Sequence, residues 1–258
     1  MIIGIDIGNT TIELGFIRDL DNIISYKLST DKNKTEDDWF LVFNSILNML
    51  EDKDIDAVLI SSVVPSITEK IKTAMYKALK SKVFIIGEDI LYPIKINYEV
   101  PQEVGTDRIV NAVAVVKMNK YPTLIVDFGT AITFDFVNQN GEYEGGAIFP
   151  GIKSSIEALF SKTAKLPQVS LKKLDTVIGK NTVESIQTGI YNGYISMVEG
   201  MIKRFNDICN CRLNIILTGG DAHIISGGLN LEHIIEPYLN MKGIYFIYKN
   251  LEKNLYTS

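Results

Sequence analysis

A strand that ends on an acid and then turns through glycine and threonine occurs twice in this chain. The first copy is the opening stretch "MIIGIDIGNTTIELGFI". Apolar Ile2, Ile3, Ile5 and Ile7 surround Asp6, then Gly8-Asn9-Thr10-Thr11 turns the chain into a second apolar run. The second copy is "TLIVDFGTAITFDFVN", where Asp127-Phe128-Gly129 repeats Asp6-Ile7-Gly8 close to half the chain length further on. A supersecondary unit that recurs at half the length points to duplication. With 258 residues there is room for two lobes, each with its own core. Two tandem α/β lobes leave a cleft between them, and clefts between domains are favoured ligand sites.

The segments between the two copies support this division. Residues 2–7 and 12–17 predict a hairpin, and "NIISYKLST" a third strand. "TEDDWFLVFNSILNML" predicts a helix that begins at Thr35, has acids in its first turn and buries Trp39. "DAVLISSVV" predicts a buried strand ended by Pro65. "SITEKIKTAMYKALKS" predicts a helix with Ser66 as N-cap and Glu69 three residues later, and "KVFIIG" a further strand. After the second hairpin come a third strand, a long helix over 181–208, and "LNIILTGGDA", a strand running into a Gly pair. The predicted division is 1–115 for the first lobe and 116–258 for the second.

Several function classes are excluded early. The net charge is −5, and no stripe of Lys and Arg offers a surface to nucleic acid. Apolar runs are broken well short of the ~20 residues that span a membrane. The apolar N-terminus lacks a preceding basic region and does not read as a signal peptide. Cys209 and Cys211 are the two cysteines, with one residue between them. A disulfide there would be strained, and two thiols with two histidines do not make a zinc site. A reducing cytosol is the default setting.

The paired turns suit a polyphosphate. Glycine lets backbone approach a ligand closely, and backbone N–H groups with the hydroxyls of Thr10, Thr11 and Thr130 can bond phosphate oxygens. Asp6 and Asp127 cannot bind phosphate themselves, but they can hold a metal ion or its waters beside it. No GxxxxGK[ST] occurs, so this is a nucleotide-phosphate clamp of the actin and hexokinase kind, not a P-loop. In "EVGTDRIVNAVA", Asp107 and Arg108 precede an apolar-periodic helix. Phosphoryl transfer to an alcohol needs a group that accepts the hydroxyl proton. Asp107 suits that role, and the planar fork of Arg108 suits a carboxylate or polar end of the acceptor.

In order along the chain, "DIGNTT", "GTDR", "DFGTAITFD", "GGAIFPGI", "IGKNTVESIQTGIYNGY" and "LTGGDA" make the sequence resemble the type III pantothenate kinases, of the acetate and sugar kinase/Hsc70/actin superfamily. The resemblance covers nearly the whole chain. It implies two ribonuclease H-like α/β lobes and ATP-dependent phosphorylation of pantothenate, the first committed step toward coenzyme A. It implies Asp107 as general base. It implies a nucleotide-phosphate segment of Asp6, Ile7, Gly8, Asn9, Thr10, Thr11, Ile12 and Glu13, with Thr130 as a further ATP contact. Asp127 matches a ligand of a monovalent cation, potassium or ammonium, and Mg²⁺ accompanies ATP. Tyr98, Gly105, Thr106, Asp107, Arg108 and Thr182 match pantothenate-binding positions. The family forms homodimers, with the segment around Thr182 reaching the neighbouring subunit's site.

Two positions depart from the pattern. Thr106 stands where alanine is common, and a loop can hold its extra hydroxyl. Glu13 brings a carboxylate near ATP phosphates, so its side chain is expected to point away. "GGAIFPG" reads as a turn that shapes the cleft, Lys180 as a solvated charge, and Tyr191 and Tyr194 as core or interface residues. The apolar stripe of the long helix (Val183, Ile186, Ile190, Tyr191, Tyr194, Ile195, Val198, Met201) is wider than one face needs, which predicts a second face against a twin subunit. Two alternatives stay open on sequence alone: another small-molecule phosphotransferase of the superfamily, or a non-catalytic regulatory relative. The presence of all three acids, Asp6, Asp107 and Asp127, weighs against the second.

Overall fold

The computed structural model describes residues 1–50, 54–163, 165–209 and 211–256. The chain divides into two compact units, Met1–Asn119 with Tyr238–Ser258, and Lys120–Pro237.

The first unit is built on strands β1 (Ile2–Ile7), β2 (Thr11–Ile17), β3 (Ile23–Ser29), β4 (Ala57–Ser62) and β5 (Lys82–Ile85), ordered β3-β2-β1-β4-β5. The β1–β2 and β2–β3 pairs are antiparallel, and β1–β4 and β4–β5 are parallel. Helices α1 (Glu36–Leu47) and α2 (Pro65–Leu79) cover one face. There Trp39, Phe43, Ile67, Ile71 and Met75 pack on Ile5, Ile7 and Leu14, and the Trp39 and Phe43 rings stack at 5.7 Å. Thr35 caps α1 as the sequence predicts: its side chain accepts from Asp38 N–H, and Asp38 accepts from Thr35 N–H in return. For α2 the expectation fails. Its N-cap is Val64 and Pro65 is its first residue, because proline's fixed φ and missing N–H suit the first helical position better than a strand end. Ser66 therefore lies inside the helix.

Helices α3 (Thr106–Lys117) and α7 (Leu239–Tyr256) pack together and against the sheet from β1 and β4. This differs from the sequence division, which gave 116–258 to one lobe. Gly4 and Gly15 are cross-strand partners. A Cβ on Gly15 would lie 2.5 Å from Met241 Sδ, and one on Gly4 3.1 Å from it. The glycine pair thus leaves a groove into which α7 seats Met241. With helices on both faces, β1 is buried along nearly its whole length.

The second unit repeats this plan with β6 (Thr123–Phe128), β7 (Ala131–Val137), β8 (Tyr143–Pro150), β9 (Asn214–Thr218) and β10 (Ile234–Ile235), in the order β8-β7-β6-β9-β10. The two pairs on the β7 side are again antiparallel and the two on the β9 side parallel. Helices α4 (Ile152–Lys162), α5 (Thr182–Cys209) and α6 (Ala222–Ser226) complete it. "GGAIFP" is strand, not turn: it forms the end of β8, registered against β7 from Ala131 to Phe136. Tyr191, Tyr194, Val198 and Ile202 of α5 pack on Leu124, Val126, Phe128 and Phe134. The Tyr194 hydroxyl lies 2.6 Å from Ser155 Oγ and donates to the Pro150 carbonyl at 2.9 Å. Tyr194 and Val198 are therefore core residues of their own unit and not the face offered to a twin subunit.

Candidate functional site

The duplication places each acid at the same point of its sheet. Asp6 and Asp127 are the penultimate residues of β1 and β6, the central strands, and both are half-buried. Each has a parallel neighbour carrying a hydroxyl directly alongside: Ser61 beside Asp6 and Thr218 beside Asp127. The fully buried Ser61 hydroxyl donates to Asp6 Oδ1 at 2.9 Å. Neither Ser61 nor Thr218 was legible as a partner, since only the strand register brings them there.

In the first unit, Gly8, Asn9 and Thr10 connect β1 to β2. Gly8 N–H donates to the Thr11 carbonyl at 3.0 Å. Thr30, just past β3, closes the turn from outside. Its hydroxyl donates to the Gly8 carbonyl at 2.7 Å and its N–H to the Thr10 carbonyl at 3.0 Å. Asn9, Thr10 and Thr11 are left exposed, a rigid backbone presenting amides and hydroxyls. Ile7 and Ile12 are fully buried partners beneath the turn. Glu13 is half-buried on β2. It pairs across the strands with Asp6, and directly opposed residues share a face. It does not point to the opposite side; Lys27 Nζ, 3.8 Å away on β3, offsets its charge.

Asp107 is the second residue of α3, which starts at Thr106, earlier than the sequence suggests, with Gly105 as N-cap. Asp107 Oδ1 accepts the Arg108 N–H at 2.8 Å. A Cβ on Gly105 would fall 2.5 Å from that oxygen, so the carboxylate lies back over its own helix start. An acid in the first turn is favoured by the helix dipole. Arg108 is buried at 8% exposure. From α7, Asn240 Nδ2 reaches the Asp107 carbonyl at 3.4 Å. The Thr106 hydroxyl accepts from Tyr92 at 3.3 Å. Tyr98 lies on the exposed segment leading to this turn.

In the second unit, Gly129 and Thr130 form the β6–β7 turn, with Gly129 N–H donating to the Ala131 carbonyl at 3.1 Å. Ser154 Oγ, in the first turn of α4, donates to the Thr130 carbonyl at 3.1 Å. Asp127 lies against Gly219, whose φ is +88°; a Cβ there would sit 2.5 Å from Asp127 Oδ1. "LTGGDA" thus brings its backbone against the acid. Asp221, nearly buried, pairs with Lys153 Nζ at 3.5 Å. Asp221 belongs to the "LTGGDA" motif, whereas Lys153 and Ser154 carried no usable signal in sequence, since a lysine or serine in a helix's first turn is ordinary. Thr182 is the exposed first residue of α5, whose start is held by Asn181 accepting the Glu184 N–H at 2.9 Å and by Glu184 accepting the Lys180 N–H at 2.8 Å. Among the described residues no three His, Cys, Asp or Glu side chains gather as a metal cluster, and no helix is long and apolar enough to cross a membrane.

Comparison with known proteins places the chain in a family. A family model for the type III pantothenate kinases matches residues 2–204. The type III pantothenate kinase of Sulfurihydrogenibium sp. (strain YO3AOP1) is 54% identical over 251 residues, covering 96% of this chain and 100% of that protein. That of Persephonella marina (strain DSM 14350 / EX-H1) is 55% identical over 250 residues, covering 96% and 98%. Among solved structures, a ROK family glucokinase from Streptomyces griseus, crystallised with glucose and AMPPNP, superposes with a TM-score of 0.53 at 11% identity, covering 94% of this chain and 97% of that one. At that identity the likeness speaks for the two-lobed α/β fold alone. With the family model spanning most of the chain and full-length relatives above half identity, this chain belongs to the type III pantothenate kinase family.

Proposed function

We infer that this chain transfers the γ-phosphoryl group of ATP to the primary hydroxyl of pantothenate, the first step of coenzyme A biosynthesis. The observation that carries the reading is the 54% identity to a type III pantothenate kinase along its whole length. Asp107 accepts the hydroxyl proton as the oxygen attacks phosphorus, Arg108, with Tyr98, Gly105 and Thr106, holds pantothenate, and Thr182 contributes to the pantothenate site of a neighbouring subunit. In the first unit the amides and hydroxyls of the exposed Asn9–Thr11 turn suit ATP phosphates, and in the second unit Thr130 is a further ATP contact. Asp6 is the residue that would hold the Mg²⁺ accompanying ATP, or its waters, and such an ion would offset phosphate charge.

A monovalent cation, potassium or ammonium, fits at Asp127. The donor is a hard carboxylate oxygen, and the glycine at 219 leaves beside it the space that any Cβ would fill. Such an ion would supply positive charge beside the nucleotide's phosphates. A homodimer is supported by exposed Val177, Ile178 and Val183 around the start of α5, next to Thr182. A cytoplasmic location accords with Cys209 and Cys211, both free thiols. The test is ATP consumption with pantothenate against glycerol, acetate and common sugars, with and without potassium. Turnover confined to pantothenate is expected; equal turnover of another alcohol would replace the assignment with another phosphotransferase activity.

A further inference from the structure

The loop after β5 is tied down more firmly than a connection needs. Asp89 Oδ2 accepts both the Ile85 N–H and Lys72 Nζ, each at 2.8 Å. These bonds hold its carboxyl below the usual aspartate range, Lys72 most of all, with the Ile85 amide second. Gly87 N–H donates to the Ile90 carbonyl at 2.8 Å, and Ile86 and Ile90 are both buried. Gly87 has φ +90° and no room for a side chain: a Cβ would lie 2.7 Å from Tyr92 Oη and 3.2 Å from its Cζ. The loop therefore seats one phenol against bare backbone.

That phenol is aimed at the start of α3. Tyr92 Oη donates to Thr106 Oγ1 at 3.3 Å, and Thr106 is the residue before Asp107. Burial pushes the Tyr92 phenol above the ordinary tyrosine range, the Thr106 bond opposes it, and the nearby Asp107 charge adds to the rise. Gly105, the N-cap, offers no side chain to hold the helix start. Tyr92 supplies that hold from the neighbouring loop.

We propose that Tyr92 is a positioning residue for catalysis: through Thr106 it fixes the first turn of α3, and with it the reach of the Asp107 carboxylate. This rests on Asp107 acting as the base. A carboxylate displaced by even a fraction of an ångström loses its alignment with the acceptor hydroxyl, and the rate depends steeply on that alignment.

The experiment compares Tyr92→Phe, which keeps the ring on Gly87, with Thr106→Val and the double variant, in steady-state kinetics with ATP and pantothenate. Removal of one hydrogen bond predicts a fall of about 3–10-fold in kcat, with KM for ATP and the thermal midpoint unchanged. The double variant should fall no further than Thr106→Val alone. In an Asp107→Asn background, Tyr92→Phe should leave the residual rate unmoved, which a general loss of structure would not. A Tyr92→Phe enzyme with wild-type kcat, or losses that multiply in the double variant, or the same loss without Asp107, would overturn the proposal. If Asp107→Asn is inactive and Tyr92→Phe is silent, Tyr92 alone is refuted. If Asp107→Asn itself keeps most of its kcat, the base assignment falls and this inference falls with it.

Discussion

At the scale of residues, the two acids with proposed chemical roles make separable predictions. Asp107→Asn keeps the shape of the side chain at the start of α3 but removes the basic oxygen. Loss of a general base predicts a fall of roughly 10²–10⁴-fold in kcat, with folding and ATP affinity retained. A variant keeping more than half of wild-type kcat would remove the assignment. Asp127 is argued through its ion. Activity should be low in sodium or Tris alone and recover with potassium or ammonium, and Asp127→Ala should abolish the recovery. A salt series with equal rates throughout would count against the ion site. The positions of Asp6 and Asp127 near the ends of equivalent strands were legible from the repeated motif, and that of Asp107 at a helix start from the apolar period that follows it. Their supports were not. Ser61, Thr30 and Tyr92 come from distant strands and loops, and only register and packing deliver them.

At the scale of elements, local chemistry was readable where a segment determines its own ends. The Thr35 cap is such a case: its partners lie three residues away. Thr35→Ala should cost about 0.5–2 kcal/mol, read as a lower midpoint in urea with unchanged slope. Asp38 shares that cap, and the Thr35 amide, with its hydroxyl second, holds the Asp38 carboxyl below the usual aspartate range. A depressed folded pKa means stabilisation that is present above the unfolded value and lost as pH falls through the folded one. The gap between wild type and Thr35→Ala should therefore narrow in acid below about pH 4. Elements placed by distant partners were misread. The apolar periodicity of α7 does not say which sheet it joins; the groove at Gly4 and Gly15 decides that. "GGAIFP" has turn composition, yet its pairing with β7 makes it strand. The width of the α5 stripe suggested a second subunit, whereas Tyr194 and Val198 fill their own core.

At the scale of the whole molecule, that correction changes how assembly must be tested. A charge at Tyr194 or Val198 would unfold the second unit directly and report nothing about a partner. Val177 and Ile178 are 74% and 68% exposed and Val183 is 41% exposed, so charged substitutions there leave the unit's own core intact. If these residues meet a twin, Ile178→Asp with Val183→Asp should yield a folded monomer by light scattering and circular dichroism. The proposed role of Thr182 permits a sharper test. If each Thr182 serves the neighbouring subunit's site, a chain lacking Asp107 can lend its threonine to a chain lacking Thr182. Asp107→Asn and Thr182→Ala proteins, each weakly active alone, would regain activity when unfolded together and refolded as a mixture. Random twofold pairing makes half the dimers mixed, each with one intact site, so about a quarter of wild-type activity should return. If Thr182 serves its own chain, no pairing creates an intact site and the mixture stays as inactive as its parts. Mixed dimers that form but show no recovery would refute the shared site while leaving the kinase reading in place.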